Sequence, residues 1–198
     1  MSKKDIILKY ATVLFARKGF RNTSMAELSK ITGVAEGTIF YHFKNKEEIF
    51  LSILENIKNK ILNAFIQYGK DNKYDTGLDM MEGIISFYLF LVGQMEDEFL
   101  ILHRHYPYEF AQVNPVCRGH IEEIYNGIVD VFEKAVLRGQ KDETISDIHN
   151  RKTALIIFSM IDGVARFKTY DLYDASSLYN DLLKICRKML SASNLPIS

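Results

Sequence analysis

SMAELSKITGVAEGTIFYHFKNK, residues 24–46, reads as two short helices joined at a glycine, the second ending in aromatic and basic side chains. Ser24 stands before Met25 with Glu27 three positions on, the spacing of a reciprocal capping box, so a helix is expected to start at Met25. Leu28 and Ile31 fall on one side of it, the expected core side, while Glu27 and Lys30 point away. Gly33 can take the positive φ that a tight link between two crossing helices needs, with Val34 plugging the corner. In the second helix, Ala35 to Phe43, a turn of about 100° per residue sets Ile39 and Phe43 on one face and Thr38, Tyr41 and His42 on the other. The outward side chains carry hydrogen-bonding groups suited to phosphates or base edges, Gly37 lets another backbone come close, and Lys44 and Lys46 can neutralise phosphates. The expected element is a helix-turn-helix that grips DNA.

The charge distribution agrees. The chain of 198 residues has no net charge, with 25 basic and 25 acidic residues. Residues 1–46 nevertheless hold nine Lys or Arg against three Asp or Glu, a surplus of six that the remainder cancels. A basic end joined to an acidic body is the electrostatic footprint of a DNA-reading module attached to a part with another task.

Prolines stand only at 107, 115 and 196, and no stretch alternates like a strand, so an all-α fold of about nine helices is expected. A first helix from Lys4 to Lys18 turns Ile7, Ala11, Leu14 and Phe15 inward and stops at Gly19. Asn45 and Glu48 repeat the capping spacing and launch a fourth through Phe50, Ile53, Leu54, Ile57, Ile61 and Phe65. Further helices are expected at 78–94, 96–106, 116–138, 147–169 and 175–190, with a break from Pro107 to Pro115 and a frayed tail from Ser191. No run of eighteen apolar residues is present and no signal peptide precedes the first helix, so a cytoplasmic protein without a membrane span is expected.

GTIFYHFKNKEEIF, residues 37–50, and ARKGFRNTSM, residues 16–25, together resemble the helix-turn-helix region of the tetracycline-repressor (TetR) family of bacterial regulators. The resemblance spans about residues 5 to 55. It implies an all-α chain with an N-terminal three-helix DNA-binding domain, 1–47, and a helical effector-binding and dimerisation domain, 48–198. It also implies that Ser24 and Tyr41 touch phosphates, that Thr38 sits at the groove and that His42 and Lys46 hold the DNA backbone. The expected DNA-binding set is therefore Ser24, Gly37, Thr38, Phe40, Tyr41, His42, Lys44 and Lys46. Phe40 stands where many relatives carry tyrosine, which leaves an apolar contact such as a thymine methyl, and Glu36 is expected to be peripheral.

Two helices near the C-terminus carry apolar faces wider than one partner needs. Phe158, Met160, Gly163 and Phe167, with Leu178, Leu182, Ile185 and Met189, are the expected dimer interface, a four-helix bundle between two copies. A homodimer would place two recognition helices about one DNA turn, roughly 34–36 Å, apart on a palindromic operator. The central helices are rich in aromatic residues and Met; each alone is an ordinary core residue at this spacing. As a set, Met81, Phe87, Tyr88, Phe99, His103, Tyr106, Tyr125 and Phe132 could line the inducer pocket the family implies, for a small, largely hydrophobic effector.

No cofactor is expected. His103, His105, Cys117 and His120 make a poor metal set, since histidines two apart on a helix diverge and no third ligand stands nearby. No nucleophile elbow, phosphate loop or paired carboxylates suggest an enzyme. The expected function is a ligand-responsive repressor released from its operator by the effector, the alternative being a ligand-independent DNA-binding regulator without a working pocket.

Overall fold

Ser2 starts the first helix, α1 (Lys3–Arg17), with a complete capping box: its side chain accepts from Asp5 N, and the Asp5 carboxylate accepts from Ser2 N at 2.9 Å. The computed structural model describes residues 2–174 and 177–192. Among these, the helices that follow are α2 (Met25–Thr32), α3 (Glu36–His42), α4 (Lys46–Asp71), α5 (Gly77–Gln94), α6 (Glu96–His103), α7 (His105–Val113), α8 (Pro115–Lys141), α9 (Asn150–Thr169) and α10 (Tyr179–Leu190). The fold is all-α, with ten helices among the described residues against the nine expected. The extra one is α7, in the stretch where Pro107 and Pro115 suggested a break. Both prolines instead stand in the first turn of a helix, where a missing N–H removes no intrahelical bond and the fixed φ suits the start.

The chain forms two units by packing, Met1–Lys60 with Met95–Glu123, and Ile61–Gln94 with Ile124–Ser198. The first gathers α6, α7 and the start of α8 with the N-terminal helices. Its core contains the expected Ile7, Ala11, Leu14 and Phe15 of α1 and Phe50, Ile53, Leu54 and Ile57 of α4. Phe20 is its aromatic centre, stacked on Tyr106 at 3.9 Å and edge-on to Phe50 at 5.4 Å. Arg104, between α6 and α7, donates from Nε to Ala16 O at 2.8 Å and from a terminal nitrogen to Arg17 O at 3.0 Å. Those carbonyls end α1 and have no helical N–H to accept from, so Arg104 supplies the donors.

In the second unit α5 and α8 cross so closely that a Cβ on Gly77 would stand 2.0 Å from Gly139 N, which only glycine permits. Phe158 is ringed by Tyr88, Tyr125 and Phe132 at centroid distances of 5.5, 5.9 and 6.0 Å. Tyr88 donates to Asp162 at 2.6 Å, and Asp162 also pairs with Arg166, as their spacing of four suggested. The residues after α10 are in part tied down, contrary to the expected fraying: Ser191 bridges Ile145, and Ser146 N donates to Leu190 O. The helix start expected at Ala175 and the tail from 193 to 198 lie outside the described residues. No helix of the described residues is long and apolar enough to cross a membrane.

Candidate nucleic-acid interface

The expected turn is present. Gly33 ends α2 at φ 67°, the left-handed conformation that glycine adopts without a Cβ clash. Ser24 caps α2 by accepting from Glu27 N at 3.1 Å, but only half of the expected box forms. The Glu27 carboxylate pairs with Lys18 instead of reaching back to Ser24 N. Leu28 is buried as expected, whereas Ile31 is exposed: α2 is eight residues long and its end overhangs the core.

α3 separates its faces as the periodicity required. Ile39 and Phe43 are buried, anchoring the helix, and Tyr41 is 84% exposed with Phe40 at 47%. Gly37 is exposed, and a Cβ built there would meet nothing within 4 Å. Thr38 and His42 are half-buried, the His42 ring edge-on to Tyr41 at 5.2 Å. An exposed aromatic ring, a hydroxyl and a bare stretch of backbone thus share the outer side of a helix whose inner side is fixed. Ser24 keeps its O–H available for donation while its oxygen serves as cap.

At the start of α4, Asn45 accepts from Glu48 N at 2.9 Å, and the Glu48 carboxylate accepts from Lys44 N at 2.8 Å. This realises the second capping signal, with the return bond shifted by one residue. The two lysines flanking it differ. The Lys44 side chain is 88% exposed, with its ammonium 4.0 Å from Glu48. The Lys46 ammonium is turned inward, donating to Phe20 O at 2.8 Å and Thr23 O at 2.7 Å, and lies 4.4 Å from the centre of the Phe20 ring. Burial lowers its pKa below the ordinary lysine value. Two of its three donors hold the α1–α2 link, which sequence spacing could not reveal because the acceptors are backbone atoms 26 and 23 residues away. Arg17, Lys18 and Arg21 are likewise paired, with Asp97, Glu27 and Glu109, so part of the surplus charge is neutralised in place.

The residues proposed as pocket walls divide between the two units. Phe99, His103 and Tyr106 belong to the first, where Tyr106 packs on Phe20 and Phe50, and Met81, Phe87, Tyr88, Tyr125 and Phe132 to the second. None of the eight lines either of two clefts, one of about 460 Å³ along α1, α4 and the start of α6, the other of about 380 Å³ along α5, α9 and α10. Of the residues expected between two copies, Phe158 and Leu182 are buried within their own chain, because each faces the helix behind it. Leu155, Ile156, Leu178, Ile185 and Met189 are exposed, Met160, Gly163 and Phe167 are half-buried, and a Cβ on Gly163 would meet nothing. Cys117 is buried with its thiol donating to Pro107 O, and burial pushes its pKa up to about 11, the reverse of what a thiolate ligand needs.

A three-helix head with an anchored and outwardly polar second helix defines a helix-turn-helix DNA-binding protein. Residues 7–53 match the family of bacterial regulatory proteins described as the tetR family, so the head is a DNA-binding domain of that family. The chain is a transcriptional regulator, of a family without enzymatic activity. Among its relatives is the negative transcriptional regulator IcaR of the biofilm operon icaADBC in Staphylococcus epidermidis, 25% identical over 131 residues, which cover 66% of this chain and 68% of IcaR. Two solved structures share the fold. A putative transcriptional regulator from Saccharomonospora viridis in complex with choline is 19% identical with a TM-score of 0.83, covering 96% of this chain and 97% of that one. FadR from Bacillus subtilis in complex with stearoyl-CoA is 24% identical with a TM-score of 0.74, covering 93% of this chain and 98% of that one.

Proposed function

We propose that the protein is a homodimeric, ligand-responsive repressor that binds a palindromic operator through α3. The observation that carries this is the outer face of α3: Gly37, Thr38, Phe40 and Tyr41 are displayed while Ile39 and Phe43 hold the helix from behind. Ser24, His42 and Lys44 would contact phosphates beside it. Lys46 contributes chiefly by fixing the α1–α2 link, with its one remaining N–H able to reach a phosphate. DNA binding is assigned to residues 1–47, and effector binding and dimerisation to 48–198.

Repression is supported by the role named for IcaR, and effector binding by the ligands in the two structures of the same fold. Dimerisation is supported by the exposed apolar side chains of α9 and α10, which are costly to leave in water over two neighbouring helices. An effector releases the operator by binding more tightly to the conformation that cannot engage DNA; about 1.4 kcal/mol of preference changes operator affinity tenfold. Regulation of chromosomal DNA places the protein in the cytoplasm. The closed packing of Tyr88, Tyr125 and Phe132 around Phe158 favours a second reading, a regulator that needs no ligand.

Selecting bound fragments from genomic DNA, then measuring their affinity against salt concentration, tests the assignment. Tyr41→Ala is expected to weaken binding to all sequences, and Thr38→Ala to change which sequences are preferred. If neither variant alters affinity or preference, α3 is not the docking helix.

A further inference from the structure

The cleft along α5, α9 and α10, about 380 Å³, is within the size range of small-molecule sites. Leu89, Phe90, Val92 and Val164 give it apolar walls, and Phe90, whose ring stacks with Phe87 at 6.3 Å, still stands 58% exposed. Its polar side chains are Lys168 and a hydrogen-bonded hydroxyl pair, Ser86 and Tyr179, 2.6 Å apart. Lys168 forms no ion pair among the described residues. The residue is exposed, with its ammonium lying against α5: a Cβ on Gly93 would stand 2.9 Å from Nζ. Ser86 donates its O–H to Glu82 O at 2.8 Å, so Tyr179 donates to Ser86 and both hydroxyl protons are committed, leaving Lys168 as the donor that faces the cleft.

We propose that this cleft binds a small amphiphilic monocarboxylate, its head on Lys168, its apolar tail along Leu89, Val92 and Val164. The charge fits one monoanion, because a single uncompensated cation borders the site. The tail follows from the walls, which also lower the local dielectric and strengthen the ion pair. At about 30 Å³ for each water-sized group, the volume holds roughly a dozen such groups, enough for a medium-length chain. On α9, Val164 lies about 100° round from Gly163 and about 40° from Met160, so the cleft borders the apolar stripe proposed for dimerisation. The inference rests on the ligand-binding part of the function proposed above, and it adds a place and a chemical class.

Calorimetric titration of the full chain, without DNA, with decanoate, decan-1-ol and butyrate separates the contributions of head and tail. Decanoate is expected to bind once per protomer, with decan-1-ol and butyrate each at least tenfold weaker. Lys168→Gln is expected to reduce decanoate affinity about tenfold while leaving decan-1-ol unchanged, the scale of one charge-assisted contact. Val164→Trp, which fills the cleft, is expected to abolish binding, with the melting temperature measured for both variants. Absence of saturable decanoate binding, equal affinity for the alcohol, or an unaltered affinity in Lys168→Gln overturns the site. Operator affinity measured with and without decanoate is a separate readout: binding without operator release keeps the site and removes it from regulation. Operator release by another compound, with no decanoate binding, removes the site and keeps the regulator.

Discussion

Lys46 offers the sharpest separation between a DNA contact and a structural one. Replacing it with Ala removes two charge-assisted hydrogen bonds, to Phe20 O at 2.8 Å and Thr23 O at 2.7 Å, and a cation lying 4.4 Å from the Phe20 ring centre. Bonds of this kind contribute about 1.5–3 kcal/mol each and the ring contact about 0.5–1. The site is half-buried, and Phe20 O retains the Thr23 N–H at 3.3 Å, so both contributions are reduced. The expected loss is about 2–3 kcal/mol, which for a chain of this size lowers the melting temperature by roughly 5–10 °C. Thermal unfolding of the DNA-free protein, followed by circular dichroism, measures it directly. Lys46→Met, which restores the apolar stem over Phe20 without the charge, is expected to recover only a minor part. A side chain that served only to neutralise a phosphate would leave the melt unchanged and reduce the salt slope of operator binding by about one. That result would refute the assignment of Lys46 as the clasp of the α1–α2 link.

Gly37→Ala is expected to stabilise the free protein by about 0.5–1 kcal/mol, because the backbone is helical and the new methyl meets nothing, while weakening operator binding. A melt and an anisotropy titration on the same sample check both signs, and unchanged DNA affinity would mean that α3 does not approach DNA at this point. Ile185→Glu with Met189→Glu, on the exposed side of α10, is expected to yield folded monomers in sedimentation velocity; an unchanged dimer would place the interface elsewhere. Burial and the Lys58 ammonium lower the His120 pKa from 6.5, although Glu55 and Glu123 oppose the shift. The unfolded chain therefore binds the proton first as pH falls, so stability declines below about pH 6.5, and His120→Gln is expected to flatten that decline in urea titrations.

Local chemistry made much of the head legible. Ser24, Gly33 and Asn45 act on atoms a few residues away, and Leu28, Ile39 and Phe43 obey a periodicity that survives packing. The misreadings share a physical cause. Pro107 and Pro115 read as breaks in the sequence because a proline's effect depends on which turn of a helix it occupies, and tertiary packing decided that α7 and α8 would start there. Ile31 obeyed the helical period but had no opposing surface. The aromatic residues of the central helices carry one composition whether they close a core or line a cavity, and sequence offered no means to choose.

The amino-acid sequence by itself determined that this chain is helical, where its recognition helix lies and which of that helix's faces is anchored, because these depend on spacing and on bonds within a turn or two. Tertiary structure decided the rest. It turned Lys46 inward onto carbonyls 26 and 23 residues away and set Arg104 against the end of α1, 88 residues from Ala16. It also opened a cleft beside Lys168 among residues that no motif connects. Hydrogen-bond acceptors on the backbone and space between side chains leave no mark in residue type, so they become visible only when distant segments are brought together.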